Sequence, residues 1–139
     1  MKPVSLHRLI LVCALVWPFA ACQNNNDDCD PTITCNTVEP SSAYIYVNLT
    51  INSENPYVPL AVYAGNASDS NLYFRDTVTA STSYSMPIGE RYSVVAKYRQ
   101  RGNTVYAVDG GKTQLESTTN CNETCYDTDD LTLNLKLID

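Results

Sequence analysis

Ala43-Tyr44-Ile45-Tyr46-Val47-Asn48-Leu49-Thr50-Ile51 is the stretch that decides the fold. Ala43, Ile45, Val47, Leu49 and Ile51 alternate with Tyr44, Tyr46, Asn48 and Thr50, so apolar side chains recur at every second residue. Successive side chains of an extended chain leave opposite faces, and this period marks a strand with one face buried and the other wet. Ser53-Glu54-Asn55-Pro56 breaks the pattern. It resumes with Val58, Leu60, Val62 and Ala64 set against Tyr57, Pro59, Ala61 and Tyr63. Pro59 has no N–H to give a ladder, so a free strand edge is expected there.

Working outward, Leu72, Phe74 and Val78 predict a third strand and Tyr84 to Met86 a short fourth. Pro87-Ile88-Gly89-Glu90 supplies a turn into a fifth strand, Tyr92 to Arg99. Arg101-Gly102-Asn103 turns the chain into Thr104 to Val108, and Asp109-Gly110-Gly111 reads as another hairpin turn. Leu131, Leu133, Leu135 and Leu137 alternate with Thr132, Asn134 and Lys136 in a last strand. No segment after the N-terminal region has helical periodicity. About seven short strands predict an all-β fold, an antiparallel β-sandwich in which residues 43–139 form one domain.

The N-terminus has a different character. Lys2, His7 and Arg8 precede nine apolar residues, Leu9 to Trp17, and Pro18-Phe19-Ala20-Ala21-Cys22 follows. A positive start, a short apolar run and small residues before a cut make an export signal over residues 1–21. The run is about half of the roughly 20 residues that a membrane-spanning helix needs. Ala20-Ala21-Cys22 resembles the bacterial lipobox, with Phe19 where Leu is usual, and the resemblance implies lipidation of Cys22. Residues 22–42 read as a polar tether with almost nothing to bury. Its Asp27, Asp28 and Asp30 resemble the acidic signal that sends some lipoproteins to the outer face of the outer membrane.

Composition narrows the chemistry. Removing residues 1–21 from the 139 leaves 118, one compact domain and a tether. Lys2 and Arg8 leave with the signal, so seven basic residues face fifteen acidic ones, a net charge of −8. That balance argues against nucleic acid and against lying flat on anionic lipid. Membrane association is therefore expected through the lipid anchor alone. The single histidine, His7, lies in the signal, which excludes a Ser-His-Asp triad or a histidine-ligated zinc site from the mature chain. No catalytic residue, cofactor or metal site is expected.

Of six cysteines, Cys13 is in the apolar run and Cys22 is the lipid site. Cys29, Cys35, Cys121 and Cys125 remain, and in an exported protein they read as two disulfides. If the first and last strands lie side by side and parallel, both pairs reach the same end, and bridges between the pairs would pin the tether to the domain. The alternative is two local bridges, Cys29 to Cys35 and Cys121 to Cys125. A four-thiolate zinc site is a third reading, disfavoured by an oxidising compartment and by the spacings. Asp127, Asp129 and Asp130 place oxygens close together, but without the glycine and terminal glutamate of a helix–loop–helix calcium loop they read as a solvated loop.

Val58-Pro59-Leu60-Ala61-Val62-Tyr63-Ala64-Gly65 and Tyr84-Ser85-Met86-Pro87-Ile88-Gly89-Glu90-Arg91-Tyr92-Ser93-Val94 resemble the carboxypeptidase regulatory-like, or transthyretin-like, sandwich over roughly residues 43–108. The chain lacks that pattern's glycine in the first strand. As a whole it looks like small uncharacterised lipoproteins of anaerobic Gram-negative bacteria. The resemblance implies a module that works beside a partner and has no activity of its own. Asp76-Thr77-Val78 resembles a tripeptide that some such bacteria O-glycosylate at the threonine. The sequons at Asn48, Asn66 and Asn122 are set down to chance.

Tyrosine is the unusual abundance, ten in all, with Phe74 the only other aromatic after the signal. Tyr44, Tyr46, Tyr57 and Tyr63 fall opposite the aliphatic faces of the first two strands. They mark a ligand surface if they share one sheet face, and cross-strand cover otherwise. The expected function is a lipid-anchored binding or accessory module on the outer-membrane surface, engaging a glycan or an outer-membrane protein complex. The alternative is a fimbrial or adhesin-type subunit, since lipoprotein pilins also use such sandwiches. No Arg lies between Cys22 and Arg75 for the maturation cut those proteins use. A small surface enzyme is the remaining class.

Overall fold

A computed structural model describes residues 29–138; the expected signal, His7, Cys13, Cys22 and the start of the tether lie outside them. The strands are β1 Ser42–Asn48, β2 Val58–Ala64, β3 Leu72–Val78, β4 Thr82–Pro87, β5 Arg91–Gln100, β6 Asn103–Lys112, β7 Gln114–Asn120, β8 Glu123–Asp129 and β9 Leu131–Asn134. A single 3-10 turn, Ala67–Asp69, separates β2 from β3. One sheet has the order β4-β1-β9 and the other β3-β2-β5-β6, with β7 and β8 a separate hairpin. The protein is thus an all-β sandwich whose two sheets hold seven strands, as the periodicity requires.

Alternation built the core as expected. Ala43, Ile45, Val47 and Leu49 from one sheet meet Val58, Leu60, Val62, Val94 and Ala96 from the other. Burying each of the larger aliphatic side chains stabilises the fold by about 1.5–3 kcal/mol. Two tyrosines join them as core residues. Tyr98 is fully buried and donates to the Leu135 carbonyl at 2.9 Å while accepting from the Thr50 amide at 3.3 Å. Tyr92 donates to the Pro87 carbonyl at 3.2 Å. Each aromatic body fills the core while its hydroxyl ties one sheet to the end of a strand or to a connection of the other. At one open side Phe74 and Tyr84 stack edge to face at 4.9 Å, and Tyr84 donates to Asp76 at 2.8 Å.

β1 pairs antiparallel with β4 and parallel with β9, so the first and last strands do run side by side in one direction. Arg101 and Gly102 both have positive φ between β5 and β6, the two-residue turn whose twist suits a hairpin. Two expectations need correction. Asp109-Gly110-Gly111 is no turn; it lies inside β6 opposite Val94, Ser93 and Tyr92. Glycine there permits close approach, because a Cβ on Gly110 would stand 2.6 Å from the Ser93 hydroxyl and 2.7 Å from the Tyr92 carbonyl. One on Gly111 would collide with Leu131.

The open edge expected at Pro59 is present but local, because β2 is otherwise an interior strand between β3 and β5. The missing N–H is accommodated because the β2–β5 ladder begins one residue later, at Leu60↔Ala96. Finally, Asp127 and Asp129 belong to a strand, β8, and not to a loop. β7 and β8 escaped the sequence reading because their hairpin stands off the sandwich. With no core to face, Gln114–Asn120 and Glu123–Asp129 carry no apolar alternation.

Candidate functional site

The four cysteines form two bridges, Cys29–Cys121 and Cys35–Cys125. This settles the connectivity between pairs and removes the thiolates a zinc site would need. Cys121 and Asn122 both have positive φ and form the tip of the β7–β8 hairpin. The bridges therefore hold the tether along the hairpin rather than against the sandwich. The Asp30 amide donates to the Asn120 side chain at 2.9 Å, and that side chain returns a bond to the Asp30 carbonyl at 3.0 Å. Further down, the Tyr126 amide donates to the Asn36 carbonyl at 2.8 Å. At the base the Tyr44 amide donates to Asp130 at 2.8 Å.

These contacts run in one direction, from hairpin tip to sandwich, so residues 29–36 pass alongside β8 in the same direction. The seven residues of each hairpin strand make a stalk of roughly 23 Å at about 3.3 Å per residue. Thr32 donates through its hydroxyl and its amide to Asp30, which lowers the Asp30 carboxyl below its ordinary range and fixes the turn at the stalk's outer end.

The four predicted tyrosines do not share a face. Odd residues of β1 and even residues of β2 point into one core, so Tyr44 and Tyr46 leave the β4-β1-β9 sheet on one side of the sandwich. Tyr57 and Tyr63 belong to the outer face of the β3-β2-β5-β6 sheet on the opposite side. Tyr44 and Tyr46 are exposed with ring centroids 6.0 Å apart. Tyr57 is 60 % exposed and Tyr63 half-buried.

The second face has members the sequence reading missed. Tyr106, 62 % exposed, stands across from Lys97, and the exposed Val108 stands across from Val95, which faces Ala61 in turn. Tyr106 and Val108 have the right parity in Thr104 to Val108, but only the β5–β6 register says what they adjoin. At the end of this face a cleft of about 570 Å³ opens between the Ser53–Tyr57 loop and the β5–β6 hairpin, with Tyr57, Pro59, Lys97, Arg99 and Thr104 among its lining.

The cleft exists because β2 and β5 part company at Pro59. Beyond Ala96 the backbone of β5 has no β2 partner, and the side chain of Asn55 replaces it. Asn55 is buried, donates to the Arg99 carbonyl at 2.8 Å and accepts from the Arg99 amide at 2.7 Å. Glu54 on the rim accepts from the Gly102 amide at 3.4 Å.

Among the described residues no group of three His, Cys, Asp or Glu side chains is arranged to hold a metal ion. Asp127 accepts from the Thr128 amide and Asp130 from Tyr44 and Thr128, so these carboxylates serve the junction of hairpin and sandwich. Thr77 is exposed on β3, and its amide donates to Asp76. Burial, then the hydrogen bond and charge of Asp76, push the Tyr84 hydroxyl well above its ordinary range. Burial also raises Tyr92 and Tyr98. No protein-family model, curated protein or solved structure matches the chain.

Proposed function

We propose that the chain is a non-catalytic binding module held at the outer-membrane surface by lipid on Cys22, with its sandwich raised on a stiff stalk. The observation that carries this reading is the pair of bridges welding the tether to the β7–β8 hairpin. A tether that only links an anchor to a domain gains nothing from such stiffening. One that must hold a binding face at a fixed height does, because a rigid support lowers the entropy lost on binding. Six residues lie between Cys22 and the stalk's outer end at Cys29, a reach of at most about 25 Å.

Exposed tyrosines on both outer faces supply rigid amphipathic area of the kind that recognises glycans or proteins. The partner is therefore a surface glycan or an outer-membrane complex, consistent with the resemblance to lipoproteins that carry transthyretin-like sandwiches.

The test uses intact cells. Cells displaying the wild-type chain are expected to bind fluorescent glycans and to lose the chain to external protease. Cells carrying Cys22→Ser are expected to release it from the membrane and to bind nothing. Protease resistance in intact cells would contradict surface display, and a blank glycan panel together with no co-purifying outer-membrane protein would contradict the binding role.

A further inference from the structure

Resting on that reading, we infer that the outer face of the β3-β2-β5-β6 sheet binds an acidic polysaccharide, with a uronate residue seated in the cleft beside Tyr57, Lys97 and Arg99. The first observation is charge segregation in an acidic protein. Seven Lys and Arg lie among the described residues. Five of them, Arg75, Arg91, Lys97, Arg99 and Lys112, occupy outward positions of this one sheet, as the registers Ala61↔Arg75 and Arg91↔Lys112 and the parity of β5 require. All five are exposed. No carboxylate occupies an outward position of β2, β5 or β6, whose outward residues run Pro59, Ala61, Tyr63; Arg91, Ser93, Val95, Lys97, Arg99; and Thr104, Tyr106, Val108, Gly110, Lys112. At the borders of the face Glu54 on the cleft rim and Asp69 in the turn near Arg91 each accept from a backbone amide, and Asp76 of β3 accepts from the Tyr84 hydroxyl.

The second observation is the surface between the cations. Tyr57 and Pro59 make one wall of the cleft, and Tyr106 continues the aromatic surface beside Lys97. Flat rings suit the C–H faces of sugars, while Lys97 and Arg99, about 6.6 Å apart along the strand, suit carboxylates that recur along a uronate polymer. A nucleic acid fits less well. Its phosphates are far denser along the polymer than the carboxylates of a polyuronate.

The full chain, titrated with polygalacturonate, alginate and hyaluronan, is expected to bind at least one of them with affinity that falls as salt rises. Esterifying the carboxylates of the polymer that binds should weaken binding by about tenfold or more. Lys97→Ala with Arg99→Ala should do the same, and Tyr57→Ala should weaken it independently. Lys136→Ala removes a cation outside the face and should bind as the wild type does. Both charge changes are on exposed side chains, and unchanged circular dichroism checks their folding. Failure to bind all three polymers, equal binding of the esterified form, or equal binding of a DNA oligonucleotide through the same residues would overturn the inference. Neutral glycans bound in the first two cases would leave the binding-module reading intact.

Discussion

Removing the disulfides one at a time should reveal that their effects are coupled. With Cys35–Cys125 in place, the chain between those positions is already closed over a separation of 90 residues. Cys29–Cys121 then closes only the small ring made of residues 29–35 and 121–125. In the chain-entropy description a ring of about 15 residues is worth roughly 3 kcal/mol and a loop of about 100 roughly 4.7 kcal/mol. The reverse order gives the same arithmetic. Either paired Cys→Ser substitution alone should therefore cost about 3 kcal/mol, because the surviving bridge still closes the long loop. Removing both should cost about 7.5 kcal/mol, more than the two single losses together. Urea unfolding at 25 °C followed by circular dichroism measures all three variants against the wild type. Additive losses, or single variants that each lose the full long-loop value, would refute this coupling and with it the bridges that join the tether to the hairpin.

Three further outcomes follow from the same structure. Asn55→Ala strips partners from the Arg99 amide and carbonyl and should cost about 2–4 kcal/mol by urea unfolding; a loss under about 0.5 kcal/mol would show that β5 finds other partners. Gly110→Ala, walled by the Tyr92 carbonyl as well as Ser93, should cost more than Gly111→Ala, whose neighbour is the movable end of Leu131. Thermal melts of the two variants should rank them so, and the reverse order would contradict the close approach of β6 to β5. Tyr84, Tyr92 and Tyr98 all have hydroxyls raised above 10.0, so below that pH neither folded nor unfolded chain is ionised there. Above it the unfolded chain loses protons first, and stability should fall as pH rises past about 10. Tyrosinate absorbance should show these three ionising at higher pH in the folded chain than in the unfolded one.

Most of the sandwich was legible because its strands bury one face. Ala43 to Leu49 and Val58 to Val62 carry the core in plain alternation, the same signal found β9, and richness in Val and Tyr after a turn found β5. Where burial does not alternate, the signal fails. The β7–β8 hairpin is held by disulfides and backbone pairing, so its polar sequence looks like loop. Gly110 and Gly111 have the composition of a turn, yet their role is set by Ser93 and Leu131, which no local rule brings near. The tyrosines show a different limit. Parity fixes that Tyr44 and Tyr57 point away from the core, but sheet membership decides that they point in opposite directions. The basic face needs the β5–β6 and β2–β3 registers before Arg75, Lys97 and Lys112 can be placed together.

The mass of the N-terminal peptide from protein purified out of native membranes tests anchoring most directly. A peptide that begins at Cys22 and carries fatty acyl groups is the result this account predicts. A peptide that retains residues 1–21, or begins elsewhere without acyl mass, would contradict it.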